Sequence, residues 1–200
     1  MSSKAGSRIL GVMMSLYSVV GMAAARRNVR NPPDAAPALS QGELMSFHIR
    51  PLPLPSVQPL LNLSDDALRA IGARRMTADA PHSAPCRVSL ADAEPGEALI
   101  LLNHRHLDDP SSPYRAGGPI FVREAAVEAR PAPGEVPDML GRRLLSVRAY
   151  DADWMMTDAD VVEGGDLAEW LARSFADDQV ARVHLHAARR GCFMASAERA

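Results

Sequence analysis

Between Ala181 and Ala197 the chain reads Ala-Arg-Val-His-Leu-His-Ala-Ala-Arg-Arg-Gly-Cys-Phe-Met-Ala-Ser-Ala. Arg182, His184 and His186 alternate with Val183 and Leu185. Side chains two apart on a strand share a face, so this is a strand with one polar and one apolar side. Arg189-Arg190-Gly191 supplies a turn, with Gly191 suited to a positive-φ bulge, and a second strand follows. A hairpin of this kind needs sheet neighbours and an apolar layer against Val183 and Leu185. The rest of the chain must provide both.

Further segments fit that requirement. Leu144 to Asp151 sets Leu145, Val147 and Ala149 against Ser146, Arg148 and Tyr150. Cys86 to Leu90 sets Cys86, Val88 and Leu90 against Arg87 and Ser89. Glu97 to His104 is apolar on both faces, as in a central covered strand. Gly118 to Arg123 and Trp154 to Val162 read as further strands, and Phe47 to Leu54 as a short strand entering an extended proline-rich piece at Pro51, Pro53 and Pro55. A short helix is expected at Leu63 to Gly72, with Ser64 as N-cap, and a helical turn at Pro137 to Arg142. The clearest helix is Asp166 to Phe175. Asp166 and Glu169 resemble a capping box, and Leu167, Trp170, Leu171, Ser174 and Phe175 form its mostly apolar stripe. Strands outnumber helices and loops join most of them, which argues against a doubly wound parallel sheet. The fold class expected is α+β: a largely antiparallel twisted sheet with one main amphipathic helix, over 166–176, packed on one face.

Residues 1–44 are different. Lys4 and Arg8 precede an apolar run from Ile9 to Val20, Ala23-Ala24-Ala25 offers an A-x-A-like cleavage site, and Arg26 to Gln41 has no periodicity. The segment reads as a disordered N-terminal extension upstream of a start at Met45, or as a signal-like segment. The expected location is accordingly cytoplasmic, or exported if residues 1–25 are a signal peptide. The apolar run is too short to span a bilayer, and residues 45–200 read as a single globular domain without membrane contact. The net charge of −2 argues against a nucleic-acid partner, and the two cysteines form no C-x-x-C motif.

The chemistry gathers on the polar strand faces. If Val88, Val147, Val183 and Leu185 face the helix, then Arg87, Ser89, Ser146, Arg148, Tyr150, Arg182, His184 and His186 collect opposite. Arginine forks beside imidazoles suit a small anion. Arg87, Arg148 and His186 would anchor it, and Tyr150 and His184 would orient it. Arg115, in the Gly/Pro-rich loop from Ser112 to Pro119, is a further anion-binding candidate. His104-x-His106 and His184-x-His186 each have spacing that can chelate one metal. No carboxylate has an obvious place as a ligand, and His104 and His106 fall where strand becomes loop, so neither a metal nor a cofactor is expected. A Cys–His enzyme is the alternative, with Cys192 as nucleophile beside His186, or Cys86 beside either His184 or His186. A protein-interaction domain without catalysis is another.

Several stretches together resemble an uncharacterised bacterial family, domain of unknown function 1203. They are Pro85-Cys-Arg-Val-Ser-Leu90, Asp92-Ala-Glu-Pro-Gly-Glu97, Pro113-Tyr-Arg-Ala-Gly-Gly-Pro-Ile-Phe-Val-Arg123, Leu144-Leu-Ser-Val-Arg-Ala-Tyr-Asp151, His184-Leu-His-Ala187 and Gly191-Cys-Phe193. The resemblance runs from about Phe47 to the C-terminus. It implies bacterial origin and one small domain beginning near Met45. It implies no reaction, cofactor or catalytic residue.

Overall fold

A computed structural model describes residues 46–200. The signal-like or disordered reading of 1–44 lies outside the described residues. No helix among the described residues is long and apolar enough to cross a membrane.

The chain forms two antiparallel sheets with short helices, an α+β arrangement in which sheet dominates. The larger sheet has five strands in the order β1-β8-β7-β5-β6. These are β1 (Phe47–Arg50), β5 (Leu144–Tyr150), β6 (Met156–Glu163), β7 (Arg182–Ala187) and β8 (Phe193–Arg199). The smaller has three, β2 (Arg74–Thr77), β3 (Ala98–Leu107) and β4 (Ala116–Arg123), with β3 in the middle. The expected closing hairpin is β7–β8, and Gly191 in its turn has φ +72°.

One face of the larger sheet is apolar, as the alternation requires. Leu145, Val147, Ala149, Val183, Leu185, Ala195 and Ala197 share a core with Leu167, Trp170, Leu171 and Phe175 from α4 (Leu167–Ser174) and its end. Burying each of the larger side chains stabilises the fold by about 1.5–3 kcal/mol. The second core lies on the smaller sheet. Ile100, Leu102, Ile120 and Val122 pack with Val57 of α1 (Leu54–Leu61) and Leu68 of α2 (Asp65–Ala70). Ser64 caps α2 as expected, its hydroxyl accepting from the Ala67 amide at 3.2 Å. A short turn of helix, α3 (Asp138–Gly141), brings Met139 and Leu140 to the first core.

Four local expectations are corrected. The Pro51–Pro55 piece does not stay extended: Pro53 becomes the N-cap of α1 and Pro55 sits in its first turn, where a missing N–H costs no hydrogen bond. Cys86 to Leu90 is not a strand. It is a turn that spans two cores, with Cys86 and Val88 in the second and Leu90, at φ +47°, in the first. Val88 therefore does not face α4. The Asp166 side chain makes no cap hydrogen bond; a 3-10 turn, Gly164–Asp166, leads into α4 instead. Finally, α4 ends at Ser174, short of the expected 166–176, and is as long as α1.

Candidate functional site

The other face of the larger sheet was expected to be polar. It is polar in composition, yet His184 is 3% exposed and His186 fully buried. The smaller sheet explains this, because His106 of β3 projects onto the same face. Its ring stacks on Phe193 with centroids 5.2 Å apart, and lies 5.7 Å from His184 and 4.8 Å from His186.

Three register breaks surround this meeting point. In β3–β4, Arg105 pairs with Gly117 and Leu107 with Ala116, so His106 is the extra residue of a β-bulge. In β7–β8, Leu185 pairs with Ala195 and His186 with Phe193, which leaves Met194 as the extra residue. That break turns Phe193 to the histidine side while Ala195 stays in the core. In β5–β6 the break falls between Ala149 and Tyr150. Bulges re-aim single side chains, and they gather near functional sites.

The three histidines present one nitrogen each, all within 4.8 Å of one another. His106 Nδ1, His184 Nδ1 and His186 Nε2 are buried without a hydrogen-bond partner. The other nitrogen of His186, Nδ1, lies 3.0 Å from the Gly191 carbonyl oxygen. A carbonyl only accepts, so Nδ1–H donates and the Nε2 of the neutral ring carries a lone pair. The hairpin turn thus orients the histidine that precedes it. Burial holds the His184 pKa down to about 3 and those of His106 and His186 to about 4, and neighbouring imidazoles and Arg148 push the same way. All three rings are neutral at pH 7, the form that binds metals.

A ring of larger side chains encloses the cluster. Tyr150 and Trp154 approach His184 with centroids 5.2 and 5.4 Å away. Burial raises the Tyr150 phenol pKa, and the neighbouring Arg148 pulls it partway back. Trp154 has φ +60°, an unfavourable conformation for a bulky residue. Its surroundings hold it there: the Asp151 carboxylate accepts from the amides of Asp153 and Met155, and the Ser112 hydroxyl donates to the Trp154 carbonyl at 3.0 Å. The Trp154 ring in turn carries the Arg182 guanidinium at 3.9 Å. His106, Arg148, Trp154 and Arg182 are half-exposed and mark where the cluster meets solvent.

The expected site residues divide accordingly. Arg148, Tyr150, His184 and His186 come together: in the strand register Arg148 pairs with His184, Ser146 with His186 and Tyr150 with Arg182. Arg87 is tied to the Phe193 backbone, within electrostatic range of His186 and His104. It is 2% exposed, its Nε donates to the Phe193 carbonyl at 2.7 Å, its Nη1 donates to the Pro85 carbonyl, and burial lowers its pKa to about 10. It lines a separate cleft of about 920 Å³ with Arg142, Arg143, Arg189, Arg190 and Cys192. Arg115 is held by Asp108, with Nε 2.7 Å from the carboxylate. Both cysteines are free. Cys86 accepts from the Ser89 and Arg123 amides, and Cys192 lies 3.9 Å from the Arg190 carbonyl, so neither sulfur is hydrogen-bonded to a histidine. His104 packs 5.9 Å from Phe193 at the margin of the site and does not join the group of three nitrogens. Trp154 and Phe193 complete the site without having been expected there. The repeated His-x-His spacing was the available signal for His106.

No curated protein and no solved structure matches the chain significantly. Residues 83–199, more than half of the chain and including every residue of the cluster, match the family described as Protein of unknown function (DUF1203). The chain belongs to that family.

Proposed function

We propose that this domain binds one transition-metal ion through His106, His184 and His186. The observations that carry the reading are that His106, His184 and His186 bring one ring nitrogen each within 4.8 Å of the others, and that each ring has a buried nitrogen with no hydrogen-bond partner. An unpartnered buried polar atom costs about 1–3 kcal/mol, and native folds rarely gather several in one place. A metal satisfies all three at once. Imidazole donors suit zinc, copper, iron or nickel, and zinc(II) is the test ion here. Nitrogens bound to one tetrahedral zinc lie about 3.3 Å apart, given Zn–N distances near 2.0–2.1 Å. The 4.8 Å limit seen here is wider than that, so metal binding requires the three rings to draw together. The Nδ1–H of His186 on the Gly191 carbonyl is the outer hydrogen bond that metal-ligating histidines usually make. Three nitrogen ligands leave a coordination position open, the arrangement of a metal that handles an exogenous ligand rather than one that only cross-links a fold.

The expectation of no metal is set aside in this proposal, since three ligands suffice without a carboxylate. The test is metal titration of untagged, chelator-treated protein against a colorimetric zinc competitor. One tight equivalent per chain is expected, and His184→Gln and His186→Gln should each weaken it by at least about tenfold. Equal zinc uptake by wild type and a His106/His184/His186 triple-glutamine variant would refute the reading.

A further inference from the structure

The charges around the three histidines are one-sided. A dication on three neutral imidazoles keeps its full charge, because no carboxylate or thiolate belongs to the ligand set. Arg148 stands directly opposite His184 in the β5–β7 register and its side chain leaves the same sheet face. None of the ion pairs among the described residues includes Arg148 or Arg182. The Arg182 guanidinium is laid over the Trp154 ring. Asp109, within electrostatic range of Arg182, is committed to the Ser111 amide and hydroxyl. A metal beside an unpaired guanidinium is therefore unfavourable until a negative charge sits between them. An arginine fork is the protein group best shaped to hold a carboxylate or phosphate.

Building on the metal reading above, we infer that the open metal position takes a small oxyanion, with one oxygen on the metal and another on the Arg148 guanidinium. The chemical class is a small carboxylate or phosphate, either free or as the end group of a larger molecule. The half-exposed edge formed by His106, Arg148, Trp154 and Arg182 is its route in. The Trp154 ring walls this edge in a conformation that the Asp151 and Ser112 hydrogen bonds enforce. No bond is made or broken in the binding step; the anion displaces solvent.

The experiment uses full-length protein loaded with cobalt(II), whose visible bands report its ligands. Sodium acetate and inorganic phosphate are titrated at constant ionic strength into wild type, Arg148→Gln and Arg148→Lys. Saturable band shifts are expected in wild type. Loss of the charged fork should weaken binding by about tenfold or more in Arg148→Gln, while cobalt affinity is retained. Arg148→Lys, which keeps the charge and loses the fork, should fall between them, and it carries the comparison alone if the glutamine variant does not fold. If cobalt binds but neither anion moves the bands, the inference fails and the metal reading stands. It also fails if all variants that fold bind acetate and phosphate equally, or if metal-free protein binds them as tightly. If cobalt does not bind at all, the metal reading fails and takes this inference with it.

Discussion

Metal-free protein should lose stability steeply on mild acidification, and the buried histidines set the size of the loss. His184 and His186 are almost fully buried, with pKa values of about 3 and about 4 against an ordinary 6.5. The unfolded chain takes up protons as pH falls below 6.5, and the native state does not until near pH 4. Stability is therefore complete above about pH 6.5 and is lost as pH falls toward the folded values. Between pH 7 and pH 5 each of the two contributes a loss of about 2 kcal/mol, or about 4 kcal/mol together. His106 and His104, whose values are also lowered, add in the same direction. Carboxylates held low by arginines, such as Glu97 beside Arg123, titrate below this window and do not blur it. The assay is urea unfolding at pH 7, 6 and 5 with chelator present, followed by tryptophan fluorescence. A loss of about 4 kcal/mol is a large share of the 5–15 kcal/mol typical of a domain, so the midpoint should move far. His184→Gln removes one of at least three titrating groups and should flatten the slope by roughly a third or less. A wild-type midpoint that stays constant or rises from pH 7 to 5 would refute the claim that these imidazoles are buried and neutral.

Two further outcomes follow from the same structure. Zinc at a hundred times its dissociation constant should stabilise the native state by about 2.7 kcal/mol and raise the melting temperature by roughly 5–10 °C, an effect absent in the triple-glutamine variant. Gly164 donates to the Arg143 carbonyl at 2.8 Å, and a Cβ there would lie 2.1 Å from the Leu140 carbonyl oxygen and 2.6 Å from Gly141 backbone atoms. Since backbone cannot rotate away, Gly164→Ala should destabilise by about 3 kcal/mol or more, read as a drop in the urea midpoint. An unchanged midpoint would mean that α3 and the turn before α4 are not packed this closely.

How much of this was legible depends on which force acts at each place. Period-two alternation is enforced by burial of one face, so Leu144–Tyr150 and Arg182–Ala187 were readable as strands and their apolar sides as the core against α4. The same alternation misled at Cys86 to Leu90. There the apolar residues are buried in different cores, and the periodicity has no sheet behind it. Proline misled at α1 because its effect depends on position: Pro53 and Pro55 start the helix at no cost in hydrogen bonds, and the short helix also carries Pro59. The division into two sheets was not readable, since no local pattern says that β3 pairs with β2 and β4 rather than joining the larger sheet.

The candidate site shows the same split more sharply. Arg148, Tyr150, His184 and His186 share a face because alternation and register both act locally. His106 comes from the other sheet, at a bulge, and no count of polar and apolar positions reveals that β3 meets the face of His184 and His186. His104 and His106 both lie beside Phe193, at 5.9 and 5.2 Å, and His106, at the bulge, is the one that also reaches His184 and His186. The second bulge, at Met194, delivers Phe193 to stack on His106. Each bulge interrupts ladder hydrogen bonds, and each here places an aromatic or imidazole ring in one cluster that leaves three buried nitrogens unpartnered. A fold selected for stability alone would have no use for either expense. Local register is given up and buried polarity is left unsatisfied at the same point, and the metal proposed for the histidine cluster would offset both.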